Sequence, residues 1–350
     1  MNIKQIIQYL ETIAPPIYQE SYDNAGLIVG NPKTEVSGAL CCLDATEAVI
    51  EEAIDKNCNL VVAHHPIVFK GLKRLNGKNY VERVVIKAIQ HDIAIYAIHT
   101  NLDNMLYQGV NSQFAAQLAL QNTRILSPQK NLKKLAAYLP FSISEDFKNE
   151  ISELLASYNP FSQQHYSSIG VGISDGVEQG IIKLECLFPI ALQNNIEKAI
   201  ANYQQKKAFA YELSIVENKN WQIGAGMIGQ LRKPMKEQVF LQFLKEKMNL
   251  NCLRHTALLG KKIETVAICG GAGGFLLKTA IGQAADIFIT ADYKYHEFFD
   301  ADGRIIIADI GHFESEQFTI QLLHQVLSEK FSNFAIYCVE TNTNPVKYYF

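Results

Sequence analysis

No apolar run in this 350-residue chain approaches the ~20 residues that a membrane helix needs. C-x-x-C pairs are also missing, and the seven cysteines, at 41, 42, 58, 186, 252, 269 and 338, are odd in number and scattered. That pattern argues against a disulfide framework or a zinc knot. Most of the thiols fall in apolar runs and read as small core residues, so a reducing cytoplasm is the expected location. Charge of one sign is lacking too. A net charge of -3 offers no handle for nucleic acid or an anionic membrane, and neither partner is expected. The N-terminal "MNIKQIIQYLETIAPP" has the spacing of one helical face and not the unbroken apolar stretch of a signal peptide. The sole tryptophan, Trp221, marks no site.

What is present is an ordinary folded composition, 48% hydrophobic, in a chain long enough to suggest two domains. Its first part alternates strand and helix. "GALCCL", "NLVVAHH" and "IAIYAIHT" read as strands, while "VERVVIKAIQ" and "GVNSQFAAQLALQN" read as helices. Asp44, three residues before Glu47, reads as a helix N-cap with its capping-box partner. Apolar strands separated by helices predict a three-layer α/β/α body with mainly parallel sheets. From about 131 to 232 the pattern changes. "KLAAYLP" and "KLECLFP" each precede a helix and then a strand, so an inserted ferredoxin-like α+β domain is expected there. The α/β pattern then resumes with "ETVAICGGAGG", "DIFIT", "RIIIADI", the long helix "SEQFTIQLLHQVLSEKF" and "NFAIYCVE". Residues 1–130 with 233–350 would form one body and 131–232 the insert.

Ligands in such sheets gather beyond the carboxyl ends of strands. The polar residues there are His64 and His65, then His99, Asn101 and Asp103, then Asp292 and His296, and finally Asp309, His312 and Glu316. His312 and Glu316 are four apart and share a face if a helix starts near His312. Alone, a double histidine reads as a surface or capping pair, H-x-x-x-E as an exposed helix face, and Asp103 as a turn residue. Together, His64, His65, Asp103, His312 and Glu316 exceed the three protein ligands of a usual catalytic zinc and suit two divalent ions, zinc, iron, manganese, cobalt or nickel. His99 and His296 are candidates for moving protons, or for supporting the ligands.

Two glycine-rich stretches need separating. "GAGMIG" (224–229) matches a dinucleotide fingerprint but runs into "QLRKPM", where a helix is required, so it reads as a strand or turn in or beside the insert. "CGGAGG" (269–274) follows a strand and precedes a helix; it would either bind an anion or pack a tight turn. In "YDNAGLIVG", Asp23 and Asn24 either make a turn or lie at a site's rim.

In "YDNAGLIVG", "AHHPIVFKGLKRL", "HTNLDN", "AICGGAGG", "ITADYKYHEFFDA", "IADIGHFESE" and "ETNTNPVKYY", the chain resembles the Nif-three-like family, which includes YbgI-like proteins and GTP cyclohydrolase I type 2 homologues. It is similar to the long bacterial form with an inserted P-II/CutA-like domain. The resemblance implies dinuclear metal ligands at His64, His65, Asp103, His312 and Glu316, and a homohexamer with its metal sites facing an internal cavity. It departs at Tyr22, where the family often has Trp, and at Ala291, where it often has Gly; neither is a ligand. The function expected is a metal-dependent hydrolase acting on a nucleotide or related phosphorylated heterocycle, the alternative being a non-catalytic metal-binding regulatory or scaffold protein.

Overall fold

The computed structural model describes residues 1–158, 170–173 and 181–349. The chain is α/β and forms two compact units, Met1–Ser127 with Gln222–Phe350, and Pro128–Trp221.

The first unit holds two sheets, and both mix parallel and antiparallel strands. In the five-stranded sheet, Ala94–Ala97, Leu60–His65, Gly38–Asp44 and Ala335–Cys338 lie parallel, while Gly26–Val29 closes one edge antiparallel to Ala94–Ala97. In the six-stranded sheet, Lys262–Ile268, Ile287–Thr290 and Ile306–Asp309 are parallel; Arg254–His255 and Asn220–Lys236 flank them antiparallel. The expectation of mainly parallel sheets thus holds for four strands of the first sheet and three of the second, while Gly26–Val29, Arg254–His255 and Asn220–Lys236 run against their neighbours, so both sheets are mixed.

Side-chain alternation explains why the central strands are apolar throughout. Val266, Ile268, Ile287, Ile289, Ile306 and Ala308 face one core, and Ala267, Phe288 and Ile307 face another. Both faces are covered, so each pointing direction needs an apolar residue. Helix Thr319–Lys330 packs on the five-stranded sheet and against helix Val110–Gln117, which itself packs on the six-stranded sheet.

Several local expectations change. Gln121–Gln129 is a strand at the edge of the six-stranded sheet; its polar sequence and Pro128 disguise it, and both suit an edge. The strand Asn220–Lys236 carries "GAGMIG" into the same sheet, where Met227–Gln230 pairs with Thr265–Ile268. The second unit therefore ends at Trp221 and not near 232. The expected long C-terminal helix is two, His312–Glu316 and Thr319–Lys330. Asp44 ends a strand, and Thr46 caps the following helix by accepting from the Val49 N–H.

The second unit runs strand Leu132–Pro140, helix Phe141–Tyr158, strands Gly170–Ile173 and Ile181–Pro189, helix Gln193–Lys206 and strand Ala210–Ile215. Its sheet is antiparallel, ordered with Gly170–Ile173 at one edge, then Ile181–Pro189, Leu132–Pro140 and Ala210–Ile215. The remainder of the expected strand "SSIGVGIS" lies outside the described residues.

Candidate metal centre

His64 and His65 end a strand in the middle of the five-stranded sheet, between neighbours that are parallel to it. Parallel neighbours put all three carboxyl ends on one side. There Asp44 ends one neighbouring strand, and the chain beyond the other turns through His99 into the short helix Thr100–Asp103. His312 and Glu316 lie on one turn of helix after the strand Ile306–Asp309 of the other sheet. Spatial convergence of the five expected ligands is complete. One ligand atom each of His65, His312 and Glu316 lies within 4.8 Å of the others, and the same holds for His64, Asp103 and Glu316, and for His64, His65 and His99. Glu316 is common to the first two groups.

The histidines share one arrangement. His64 Nδ1 donates to the Ile98 carbonyl at 2.9 Å. His65 Nδ1 faces Asp44 Oδ1 at 2.8 Å, His99 Nδ1 faces Asp23 Oδ1 at 2.8 Å, and His312 Nδ1 faces Asp292 Oδ2 at 2.7 Å. A carbonyl or carboxylate only accepts, so every one of these Nδ1 atoms carries a proton, and the Nε2 atoms of His64, His65 and His312 turn to the centre. Metal-ligating histidines are held this way.

Two halves of the centre differ electrostatically. His64 is fully buried, and burial drives its pKa down to about 3. Its Nε2 and Asp103 Oδ1 are 3.4 Å apart, and both are buried with no hydrogen-bond partner. Burial and the neighbouring Glu316 push the Asp103 carboxyl up. On the other half, His65 Nε2 and His312 Nε2 meet Glu316 Oε2 at 2.9 and 3.1 Å. Burial alone would lower both rings, but Asp44 and Glu316 hold His65 at about 10, and Glu316 and Asp292 hold His312 at about 11. Glu316 is depressed by the same rings despite its burial. Imidazolium charge thus stands where cations would balance the carboxylate. The orphaned Asp103 Oδ1 and the pre-aimed Nε2 atoms of His64, His65 and His312 fit divalent metal.

The loop "CGGAGG" serves close packing. Gly271 adopts φ +62°, and a Cβ there would sit 2.5 Å from Glu316 Oε1. The Gly270, Gly271 and Gly273 N–H groups donate to Asn111, Ser315 and Thr290, so these three are committed inside the protein. Asp23 does more than make a turn, since it binds His99 and accepts from the Thr100 N–H. His296 is not brought to the centre: it is exposed on the turn Tyr295–Ala301, with its ring against Tyr295 and Phe299. Asp44 was missed as a site residue because its spacing to Glu47 imitates a cap; its place at a strand's carboxyl end was the available signal.

His65, His99, Asp103, His312 and Glu316 line a cavity of 990 Å³ whose walls also include Tyr22, Phe69, Arg254, Phe275 and Tyr348. Fold and site together define an α/β metal-site protein with overlapping histidine–carboxylate groups at converging strand ends. The chain belongs to the Duf34/NIF3 (NGG1p interacting factor 3) family, whose pattern matches residues 1–345. A GTP cyclohydrolase 1 type 2 homolog of Staphylococcus epidermidis is 33% identical, over 99% of this chain and 100% of its own length. One of Bacillus subtilis is 31% identical, over 99% and 98%. The structure of a Bacillus cereus protein related to NIF3 superposes with a TM-score of 0.83 at 29% identity, covering 100% of this chain and 99% of its own.

Proposed function

We propose that the chain is a dinuclear, divalent-metal-dependent hydrolase acting on a nucleotide or related phosphorylated heterocycle. The observation that carries the reading is the sharing of Glu316 between two ligand groups, one with His65 and His312 and one with His64 and Asp103. Glu316 would help to hold both ions of a two-ion site, and such ions would supply Lewis acidity and a water activated at neutral pH. His99 is the proton carrier in this reading. Asp23 engages its Nδ1, leaving Nε2 to take a proton from the reacting water and return it to the leaving group. Asp44 and Asp292 orient His65 and His312. Similarity to the GTP cyclohydrolase 1 type 2 homologs of Staphylococcus epidermidis and Bacillus subtilis favours a nucleotide substrate.

The same reading takes the second unit as a ferredoxin-like, P-II/CutA-like insert, supported by its βαββαβ order and by the placing of its first and third strands at the sheet's centre. It takes the two sheets with their helices as one layered body. Assembly as a homohexamer rests on the family resemblance. A cytoplasmic location is supported by the seven free cysteines and by the lack, among the described residues, of a helix long and apolar enough to cross a membrane.

A screen of metal-loaded protein against nucleotides and phosphoesters tests the activity. Turnover with at least one metal, lost in E316Q, is expected. An intact metal complement with no turnover for any metal would instead establish the scaffold reading.

A further inference from the structure

The cavity wall beside the centre carries one feature that the metal reading leaves unused. Carboxylates such as Asp44, Asp292 and Glu314 line the cavity, yet Arg254 is the one lysine or arginine among its described lining residues. The strand Arg254–His255 pairs Arg254 with Asp309, three residues before His312. Its guanidinium is held by one nitrogen: Nη2 donates to Asp309 Oδ2 and, at 3.1 Å, to the Tyr293 carbonyl. The group lies 5.4 Å from the centroid of the Phe298 ring. Nε and Nη1 donate to no described group, and the side chain remains 61% exposed.

Charge neutralisation of Asp309 does not account for this arrangement. Asp309 already accepts from the backbone N–H groups of Tyr293 and Gly311. A purely structural arginine would also be expected to spend its fork on the protein. Here the anchored nitrogen fixes the plane, and the rest of the fork faces open space. A planar fork with free donors matches a phosphate or carboxylate.

We infer that Arg254 binds an anionic group of the substrate, phosphate or carboxylate, on the wall next to the metal centre. This rests on the proposed function in taking the cavity as the substrate site. It adds that the substrate carries an anion separate from the group the metals engage. Without Arg254 and the metals, the lining carboxylates would repel such a molecule.

Calorimetric binding to the metal-loaded full-length protein tests it, with GMP against guanosine and orotate against uracil as probes. In wild type the anionic member of one pair binds roughly tenfold or more tighter, as a charge-assisted hydrogen bond warrants. R254Q brings the two members to within about twofold of each other, with metal content unchanged. The pair that responds tells phosphate from carboxylate. No anion preference in wild type, or a preference that survives in R254Q, overturns the inference. If R254Q fails to melt cooperatively, R254K replaces it; it keeps charge and loses the fork, so the preference should fall severalfold, and full retention is equally fatal. Arg254-dependent anion binding without turnover would remove the hydrolase reading and leave this one standing.

Discussion

The His64–Asp103 half of the centre and the His65–His312 half face the same carboxylate but reach electrostatic balance differently. The first is dry. His64 is neutral, and its Nε2 and Asp103 Oδ1 stand unpartnered. Such atoms cost free energy until something fills the gap. The second half is partly exposed at His312 and satisfies itself with ion pairs to Glu316 and the outer aspartates. One half therefore gains most from metal, while the other must give up protons to receive it. Ligand identity alone does not reveal this difference; burial and hydrogen bonding do.

The largest expected effect removes what the halves share. E316Q should abolish metal binding at both, whereas D103N should leave about one ion of a pair. Elemental analysis after reloading and desalting reads both. If E316Q retained a full complement, Glu316 would not be a common ligand, and the comparison would collapse.

Proton competition sharpens the difference. His65 and His312, at about 10 and 11, are protonated at neutral pH in the metal-free protein, so metal uptake there must release protons. Apparent affinity should rise about tenfold per pH unit for each proton displaced. The His64 ring, at about 3, has no proton to give in this range. Stability follows with a definite sign. Raised histidines stabilise the metal-free fold fully below their ordinary value of 6.5, and that contribution is lost as pH rises through about 10. The metal-free melting temperature should fall between pH 6.5 and 10 more than that of H65Q/H312Q. Equal slopes in the two proteins would show that these rings are not held as imidazolium.

The outer carboxylates come next. D44N and D292N should each weaken metal binding by about 10- to 100-fold, because each loses the carboxylate charge that makes the ring a more basic ligand. Competition with a coloured chelator measures this. Asp44 also shows how far the sequence could be read. The five expected ligands are legible because parallel strands deliver their carboxyl ends together, and that rule needs only the order of apolar runs. Asp44 obeys the same rule, but a glutamate three residues on gives it a competing meaning. His296 follows a strand end too, yet a helical turn takes it outward; nothing in residue type foretells that direction. The edge strand Gln121–Gln129 was hidden for a related reason, since an edge exposes side chains that a central strand would bury.

The smallest effect should come from removing the second unit. None of the expected ligands lies between 128 and 221, and every described residue lining the cavity belongs to the first unit. The splice is geometrically simple. A Cβ at Gly226 would meet Leu126 at 3.4 Å and one at Gly229 would meet Thr123 at 2.9 Å, so the strands that leave and re-enter the first unit lie side by side. Their pairings run in opposite directions along the chain, which places Ser127 near Ala225, within reach of a short turn. Replacing 128–221 with a brief Gly/Ser turn should leave metal content unchanged and a cooperative melt. The packing around Glu316 is built within the first unit, where Gly271 and Ser315, which hold that region, are linked to each other. A shortened chain that melts cooperatively yet takes up no metal would mean that the second unit contributes to the centre, and the division of labour between the two units would have to be redrawn.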